Sequence, residues 1–398
     1  MTKPDQGNSH VIVPTHSSKM LPVQEYSEDN NPLSRSNRLS GRSWKLVFKR
    51  VWTDFWFDAL MDRGATMTFF SLLAFAPTVL AAYSVATLLF ASRRSDVERL
   101  TDQFIADFVP DSLVDNANQV VAGIVGSAAE GAWALTISVL ISLFSASGYV
   151  RAFSRTANMV YGRVEGRGII RTWAMMWGLT LMLVVGGVLV LFANLLRDTV
   201  VNGIIVPIAR PLGVEGFVDY MLDIFLPIWD WLRFPVTVIV VLTLIALLYH
   251  YAPNVKPLRF RWITLGSIVA LTVSVASWAL FGLYLTYFAG TSAYGAISTV
   301  MTLIIAVWAV NIGLVVGVKL DAEVLRAKEL QRGMPSERYI QAPPRSDVAA
   351  QAQARAQQTI EEHSSSVART GEEQEAEARQ NQQPRFTAAG TPAERTDN

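Results

Sequence analysis

The side chains that could do chemistry in this chain are arginines, asparagines and aspartates rather than nucleophiles or metal ligands. The 398 residues include no cysteine and four histidines, His10, His16, His250 and His363, which stand far apart in the sequence. Hydrolytic metal sites need clustered His and carboxylate ligands, and nucleotide-driven pumps need a Gly-x-x-x-x-Gly-Lys loop. The sequence contains neither pattern. It therefore predicts no catalytic residue, no metal and no cofactor, and it favours a protein that is not an enzyme.

Two arginines have the type and the spacing to hold an anion. Arg151 and Arg155 are four residues apart, which places both guanidiniums on one face of a helix. A guanidinium binds phosphate or carboxylate through two parallel hydrogen bonds, which a lysine cannot reproduce. Such a pair is suited to lipid phosphates or to a carboxylate such as Asp62. The favoured interpretation is that both arginines only retain their loop in the cytoplasm, with their side chains extended toward water.

Other candidate residues are polar side chains in or beside long apolar segments, where polarity is costly. They are Asp62, Asn158, Asn311, Lys319 and Asp321. An asparagine inside an apolar helix is more often a hydrogen-bonding contact between helices than a substrate ligand. We therefore interpret Asn194 and Asn311 first as such contacts. Asp321 and Glu323 are expected to pair with the two arginines.

The elements that must position these residues are long apolar helices. The chain is 51% hydrophobic and 17% charged, with a mean hydropathy of +0.29, whereas a soluble protein carries about 25% charged residues. Crossing a bilayer takes roughly 20 apolar residues. Six stretches are long enough, namely residues 66–90, 132–150, 172–196, 232–251, 262–288 and 296–318. The predicted fold is an all-α polytopic membrane protein with six transmembrane helices.

The loops between these stretches alternate in charge. Arginine and lysine precede the first span, fill the loops 151–171 and 252–261, and follow the sixth span. The intervening loops, residues 91–131 and 197–231, are acidic. Cytoplasmic loops carry the excess of basic residues, so both termini are expected in the cytoplasm and the protein in the cytoplasmic membrane. Lipids are the expected partners. The net charge of +1 does not favour nucleic acid as a partner.

Outside the spans, the sequence predicts tails and surface helices. Residues 1–43 and 327–398 lack an apolar period and are expected to be disordered. Residues 44–60 place apolar side chains on one face with basic ones beside it, which predicts a helix lying in the membrane interface. The other amphipathic stretches are residues 95–108, 113–124 and 204–230, of which the last is broken by prolines and is expected to be interfacial or re-entrant.

Two features concern the shape and packing of the spans. Pro77 removes a backbone hydrogen bond and clashes with the preceding turn, so we expect a kink in the first span. Gly313 and Gly317, four residues apart, allow another helix to approach the sixth span closely. Gly186 is expected to do the same in the third span.

Short signatures follow one another along the chain in a fixed order. They are an aromatic, Ser and Leu run ending in Pro at residues 68–77, Ser147-Gly148-Tyr149-Val150-Arg151 followed by Asn158, Pro253-Asn254, Tyr294-Gly295-Ala296, Trp308, and residues 317–323. Together they resemble the YihY/virulence factor BrkB family of bacterial inner-membrane proteins, once labelled ribonuclease BN-like, over residues 44–325. The resemblance implies a six-helix membrane fold and no agreed activity. The family usually has an acid where this chain has Lys319, so no role is transferred to that position.

The sequence favours three classes of function in a clear order. The leading hypothesis is a transporter or lipid-handling protein, based on the kinked first helix, the arginine pair and the interfacial helix. The alternative is a structural or scaffolding membrane protein whose outer helices contact a partner in the cell envelope. A membrane-bound enzyme comes last because no nucleophile, base or metal cluster is present. A midplane cavity lined by Arg151 and Asn311 would favour transport, and a solid bundle with an apolar outer patch would favour scaffolding.

Overall fold

The helices of this chain form one bundle in the computed structural model. The model describes residues 11–12, 21–24, 26, 31–34, 36–89, 132–196, 215–256, 260–288 and 295–382, with residues 102, 105, 114–115, 118–119, 201 and 206. Within them the membrane domain is entirely helical, as predicted, and a pair of two-residue strands, Val11–Ile12 and Leu21–Pro22, lies near the N-terminus. Most of the amphipathic stretches expected at residues 95–108 and 113–124, and most of 204–214, lie outside the described residues.

The helices cover every predicted span. In chain order they are α1 Gly41–Phe57, α2 Leu60–Leu89, α3 Ala132–Val160, α4 Ile169–Leu195, α5 Glu215–Tyr220, α6 Leu226–Tyr251, α7 Leu265–Tyr287, α8 Gly295–Gln331 and α9 Val348–Gln382. A π-helical turn, Met221–Phe225, joins α5 to α6. Four segments of the described chain are long and apolar enough to cross a membrane, namely Ile169–Leu191, Met221–Tyr251, Leu265–Tyr287 and Ile297–Gln331. The first two predicted spans lie on α2 and α3, which have 30 and 29 residues.

Helix α1 has the amphipathic character predicted for residues 44–60. The side chain of Ser40 caps its start by accepting a hydrogen bond from the backbone N–H of Ser43 at 3.2 Å. Val47 is buried, whereas Trp52 and Trp56 on another face are 69% and 58% exposed. Exposed indole rings suit the headgroup region of a membrane. Ala59 then takes a φ of +50°, which turns the chain sharply into α2.

Small residues let α7 and α8 pack against each other, which confirms the close approach predicted at Gly313 and Gly317. A Cβ atom at Gly317 would lie 2.5 Å from the carbonyl oxygen of Gly266, and one at Gly313 would lie 2.8 Å from Val273. Gly186 on α4 likewise leaves room for a side chain of α6, that of Leu244. A larger side chain at any of these glycines would push two helices apart. The bend expected at Pro77 stays a prediction.

Both predicted tails contain ordered, buried positions, which differs from the expectation of disorder. Helix α8 continues beyond residue 327 to Gln331, and the following residues 334–347 cross the end of the bundle with Met334 and Ile340 fully buried. On the N-terminal side Val23 is 1% exposed. The few apolar residues of the tails show no helical or strand periodicity. Their burial depends on contacts with the end of the helical bundle, which the sequence does not reveal. Helix α9 follows and is exposed along most of its length.

Candidate functional site

One end of the bundle gathers most of the polar contacts of the described residues. The end of α3, the start of α4, the end of α6, the start of α7 and the last turns of α8 meet there. We call it the basic end, because Arg163, Arg167, Lys256, Arg261, Arg326 and Lys328 all lie on these segments. We call residues 334–347, which cross it, the C-terminal strap.

Asn158 joins two loops at the basic end. Its side chain is 4% exposed. Its Oδ1 accepts the backbone N–H of Asn254 at 2.6 Å, and its Nδ2 donates to Glu165 at 3.1 Å. Glu165 forms an ion pair with Arg167 at 2.6 Å. Arg167 also donates to the carbonyl oxygen of Ala252 at 2.8 Å, which satisfies a free carbonyl at the end of α6.

The C-terminal strap is held by side chains from two loops, those between α3 and α4 and between α6 and α7. Arg163 donates to the carbonyl oxygens of Ile340 and Ala342 at 2.6 and 2.5 Å. Burial lowers the pKa of this guanidinium to about 10, so it remains charged at neutral pH. Asn254 donates to the carbonyl oxygen of Ser346 at 2.8 Å and accepts its backbone N–H at 3.2 Å. The strap backbone therefore replaces water as the partner of these polar groups.

The two terminal segments meet at Glu329 near the end of α8. This carboxylate is fully buried. It accepts hydrogen bonds from the Tyr26 hydroxyl, from the Ser336 hydroxyl at 2.7 Å and from the backbone N–H of Gln341 at 2.9 Å. Burial, reinforced by Glu329, raises the pKa of Tyr26, so its hydroxyl stays protonated as a donor. Three donors on one carboxylate tie the N-terminal segment, α8 and the strap together.

Lys319 is the centre of a buried ionic cluster between α1 and α8. Its ammonium is 2.5 Å from Asp54, 3.5 Å from Asp58 and 3.1 Å from Glu323. Arg326 and Arg50 approach Glu323 at 3.0 and 4.0 Å, so three cations face three carboxylates. Charge balance explains how Lys319 remains only 3% exposed.

The arginine pair does not meet the expected carboxylates. Arg151 lies over the rings of Phe144 and Trp173, at 5.2 and 4.9 Å from their centroids. Arg155 is exposed. The supposed partners are engaged elsewhere: Asp321 accepts the backbone N–H of Gly266 at 2.8 Å, and Glu323 belongs to the Lys319 cluster. Asp62 is exposed in the first turn of α2. Arg151 forms no ion pair with these acids, and the rings of Phe144, two turns earlier on α3, and of Trp173 on α4 lie against its guanidinium instead.

Asn311 forms a contact between helices, as its position in a span suggested. Its Oδ1 accepts the hydroxyl of Tyr149 on α3 at 3.0 Å, and its Nδ2 donates to Thr68 on α2 at 3.1 Å. Asn194 similarly links α4 to Thr237 on α6 at 3.0 Å. Both side chains therefore have partners and do not present free groups to a substrate.

The basic end contains a cavity of about 590 Å³, which we call the basic-end cavity. It is open to the outside and is bordered by α6, α7, α8, the N-terminal segment and the strap. Its polar lining residues are Tyr26, Arg38, Tyr161, Tyr249, His250, Lys256, Arg261, Thr264, Asp321 and Lys328. Leu39, Trp44, Ile263, Leu265 and Leu325 contribute apolar walls. Asp321 is the one residue among the predicted candidates that lines it.

Most residues of this end were not predicted as functional, because their sequence context indicated a different role. Arg163 and Arg167 stand in a basic loop, and such a loop by itself indicates only that it lies on the cytoplasmic side of the membrane. Asn254 stood out only within a Pro-Asn signature. Tyr26 lies in a polar tail and carries no signal of burial. The cavity cations come from three separate segments, and no local spacing connects them.

Long apolar helices, a basic end and an amphipathic α1 define a polytopic α-helical membrane protein. The chain belongs to the virulence factor BrkB family, whose model matches residues 51–339. It is 25% identical over 273 residues to a ribonuclease-like protein, YfkH, of Bacillus subtilis, covering 68% of this chain and 91% of that protein. It is 28% identical over 282 residues to a UPF0761 membrane protein of Verminephrobacter eiseniae, covering 68% of this chain and 60% of that protein. No solved structure matches this chain.

Proposed function

We propose that this protein is a transporter or lipid-handling protein of the cytoplasmic membrane and not an enzyme. The observation that carries the proposal is the basic-end cavity, which combines charged and apolar walls in about 590 Å³. Pockets of roughly 300–1,000 Å³ are typical of sites for small molecules. A protein that only scaffolds partners has no need of such an opening between its helices.

We propose six spans with both termini in the cytoplasm. α2 and α3 supply the first two spans, and the four apolar segments named above supply the rest. The ends of α3 and α6, the starts of α4 and α7 and the last turns of α8 meet at the basic end, and this grouping supports spans that alternate in direction. Basic loops are retained in the cytoplasm. The basic-end cavity then opens toward the cytoplasm.

The site differs from the midplane cavity that the sequence analysis proposed for a transporter. Arg151 packs on aromatic rings and Asn311 is fully engaged by Tyr149 and Thr68. We propose instead that the cargo enters from the cytoplasmic side, where unpaired basic groups and apolar walls are adjacent. The ribonuclease-like name of one relative does not transfer, because the sequence lacks clustered histidines and carboxylates for metal-assisted hydrolysis.

The experiment that tests this proposal uses the absence of natural cysteines. Ile263→Cys places one thiol at the wall of the cavity, where Ile263 is 62% exposed. Flux or lipid scrambling is measured in proteoliposomes before and after a bulky thiol reagent is added. We expect the reagent to reduce the rate by at least about tenfold, as occlusion of a binding site should.

The matched control is Ile169→Cys at the start of α4. This isoleucine is 77% exposed, lies at the same end of the bundle and does not line the cavity. Its labelling should leave the rate unchanged. If unlabelled protein moves neither solutes nor lipids, the transport proposal is wrong and the scaffolding alternative is favoured.

A further inference from the structure

We infer that the basic-end cavity binds an anionic phosphate ester that carries an apolar chain, as an acidic phospholipid does. This inference rests on the proposed function and deepens it by naming the class of ligand. The cavity combines four cations, a carboxylate held by the start of α7, and apolar walls.

Four cations border the cavity, and Asp321 is the one carboxylate among its lining residues. The cations are Arg38, Lys256, Arg261 and Lys328. None of them forms an ion pair with another described residue, whereas Lys319, Arg326 and Arg50 nearby are balanced by carboxylates. Arg261 and Lys328 line the same cavity, and their like charges repel each other. An anion bound beside both would relieve this repulsion and would accept several charge-assisted hydrogen bonds.

The carboxylate of the cavity does not oppose such an anion. Asp321 accepts the backbone N–H of Gly266 at 2.8 Å, in the first turn of α7. The start of a helix carries a partial positive charge, so α7 compensates Asp321 from its own side. Tyr161 also lines the cavity, and Tyr249 donates to the carbonyl oxygen of Leu314 at 2.7 Å. Asp321 also attracts Arg261, and with four cations against one carboxylate the lining keeps a net positive charge.

The apolar walls explain why the ligand should carry a chain. Trp44 and Leu39 come from α1 and the segment before it, and Ile263 and Leu265 come from the start of α7. Exposed apolar residues of α1 and α7 adjoin this region, including Phe48 and Ile268 at 59% and 46% exposure. A free inorganic anion would contact the cations but would leave the apolar walls exposed to water. A phosphate with an attached chain would cover both surfaces.

Titration calorimetry on the purified full chain in a neutral detergent tests the inference. Three probes separate the sources of the phosphate: dihexanoyl phosphatidic acid, dihexanoyl phosphatidylcholine and inorganic phosphate. We expect the phosphatidic acid to bind at least tenfold more tightly than either of the others. Binding of inorganic phosphate with equal affinity would overturn the role of the chain. Equal binding of phosphatidylcholine would overturn the role of the net charge.

Charge-removing variants test the residues. Arg261→Gln combined with Lys328→Gln should weaken phosphatidic acid binding at least tenfold, whereas Arg171→Gln, an exposed cation of α4 outside the cavity, should not. Unchanged affinity in the double variant, with an unchanged melting temperature, would overturn the inference. The Ile263→Cys flux assay tests the proposed function separately. If labelling blocks flux but phosphatidic acid and phosphatidylcholine bind equally well, the ligand class is rejected and the cavity remains the transport site.

Discussion

The ammonium of Lys319 on α8 lies 2.5 Å from the carboxylate of Asp54 on α1. This contact joins the amphipathic α1 to the longest apolar helix of the described chain. The family usually has an acid at the position of Lys319, and here the surrounding carboxylates of Asp54, Asp58 and Glu323 supply the negative charge instead. A cation at this position therefore fits the structure of this chain, because its neighbours are acidic.

Removal of that cation should destabilise the protein strongly. Lys319→Met keeps the length of the side chain and leaves Glu323, which is fully buried, with too little positive charge nearby. Loss of one partner of a buried ion pair costs about 3–5 kcal/mol. We expect a clear fall in the melting temperature of the detergent-solubilised protein. Asp58→Asn is the control, because its 3.5 Å contact is 36% exposed and should contribute less than about 1 kcal/mol.

Asn254 should control the attachment of the C-terminal strap. Asn254→Ala removes the two hydrogen bonds to Ser346 and a third to the carbonyl oxygen of Val164. Each buried group left without a partner costs about 1–3 kcal/mol. We expect faster hydrogen exchange in residues 340–347 and faster tryptic cleavage at Arg345. Asn194→Ala, which alters a contact between α4 and α6, should not change exchange in the strap, and equal effects of both variants would contradict this assignment.

The contact between Tyr149 and Asn311 should couple α3 to α8. Tyr149→Phe and Asn311→Leu each remove one side of the 3.0 Å hydrogen bond. A double-mutant cycle on unfolding free energy should give a coupling of about 0.6–1.7 kcal/mol, the range for polar contacts between membrane helices. A coupling near zero would mean that the hydroxyl and the amide are not bonded in the membrane.

The proposed topology can be measured by thiol labelling of the cysteine-free chain. Lys256→Cys lies at the basic end, and Asp219→Cys lies on α5 in the acidic loop region; both native residues are exposed. In intact spheroplasts, a membrane-impermeant thiol reagent should label Asp219→Cys and not Lys256→Cys. Permeabilised membranes should allow both to react. Labelling of Lys256→Cys in intact spheroplasts would reverse the orientation.

The sequence by itself determined the membrane class, the positions of the long apolar helices and the contacts of Asn194 and Asn311 with neighbouring helices. These properties depend on local signals. A run of about 20 apolar residues is a property of one segment, and an asparagine within such a run has few partners other than a neighbouring helix. Gly313 and Gly317 also predicted a close helix contact, because the absence of a side chain is visible without a structure.

Only the tertiary structure decided what the charged residues do. From the sequence, Arg163 and Arg167 were expected to be exposed charges of a loop. Both are buried, because carbonyl oxygens of the strap and of the end of α6 accept their hydrogen bonds. Arg151 lies on aromatic rings and not beside Asp62, the carboxylate that the sequence offered as one candidate partner. Residues 334–347 were expected to belong to a disordered tail because their apolar residues do not recur at a regular spacing. Electrostatic and hydrogen-bonding partners are set by distances across the fold, and such distances are not encoded in the spacing along any one segment.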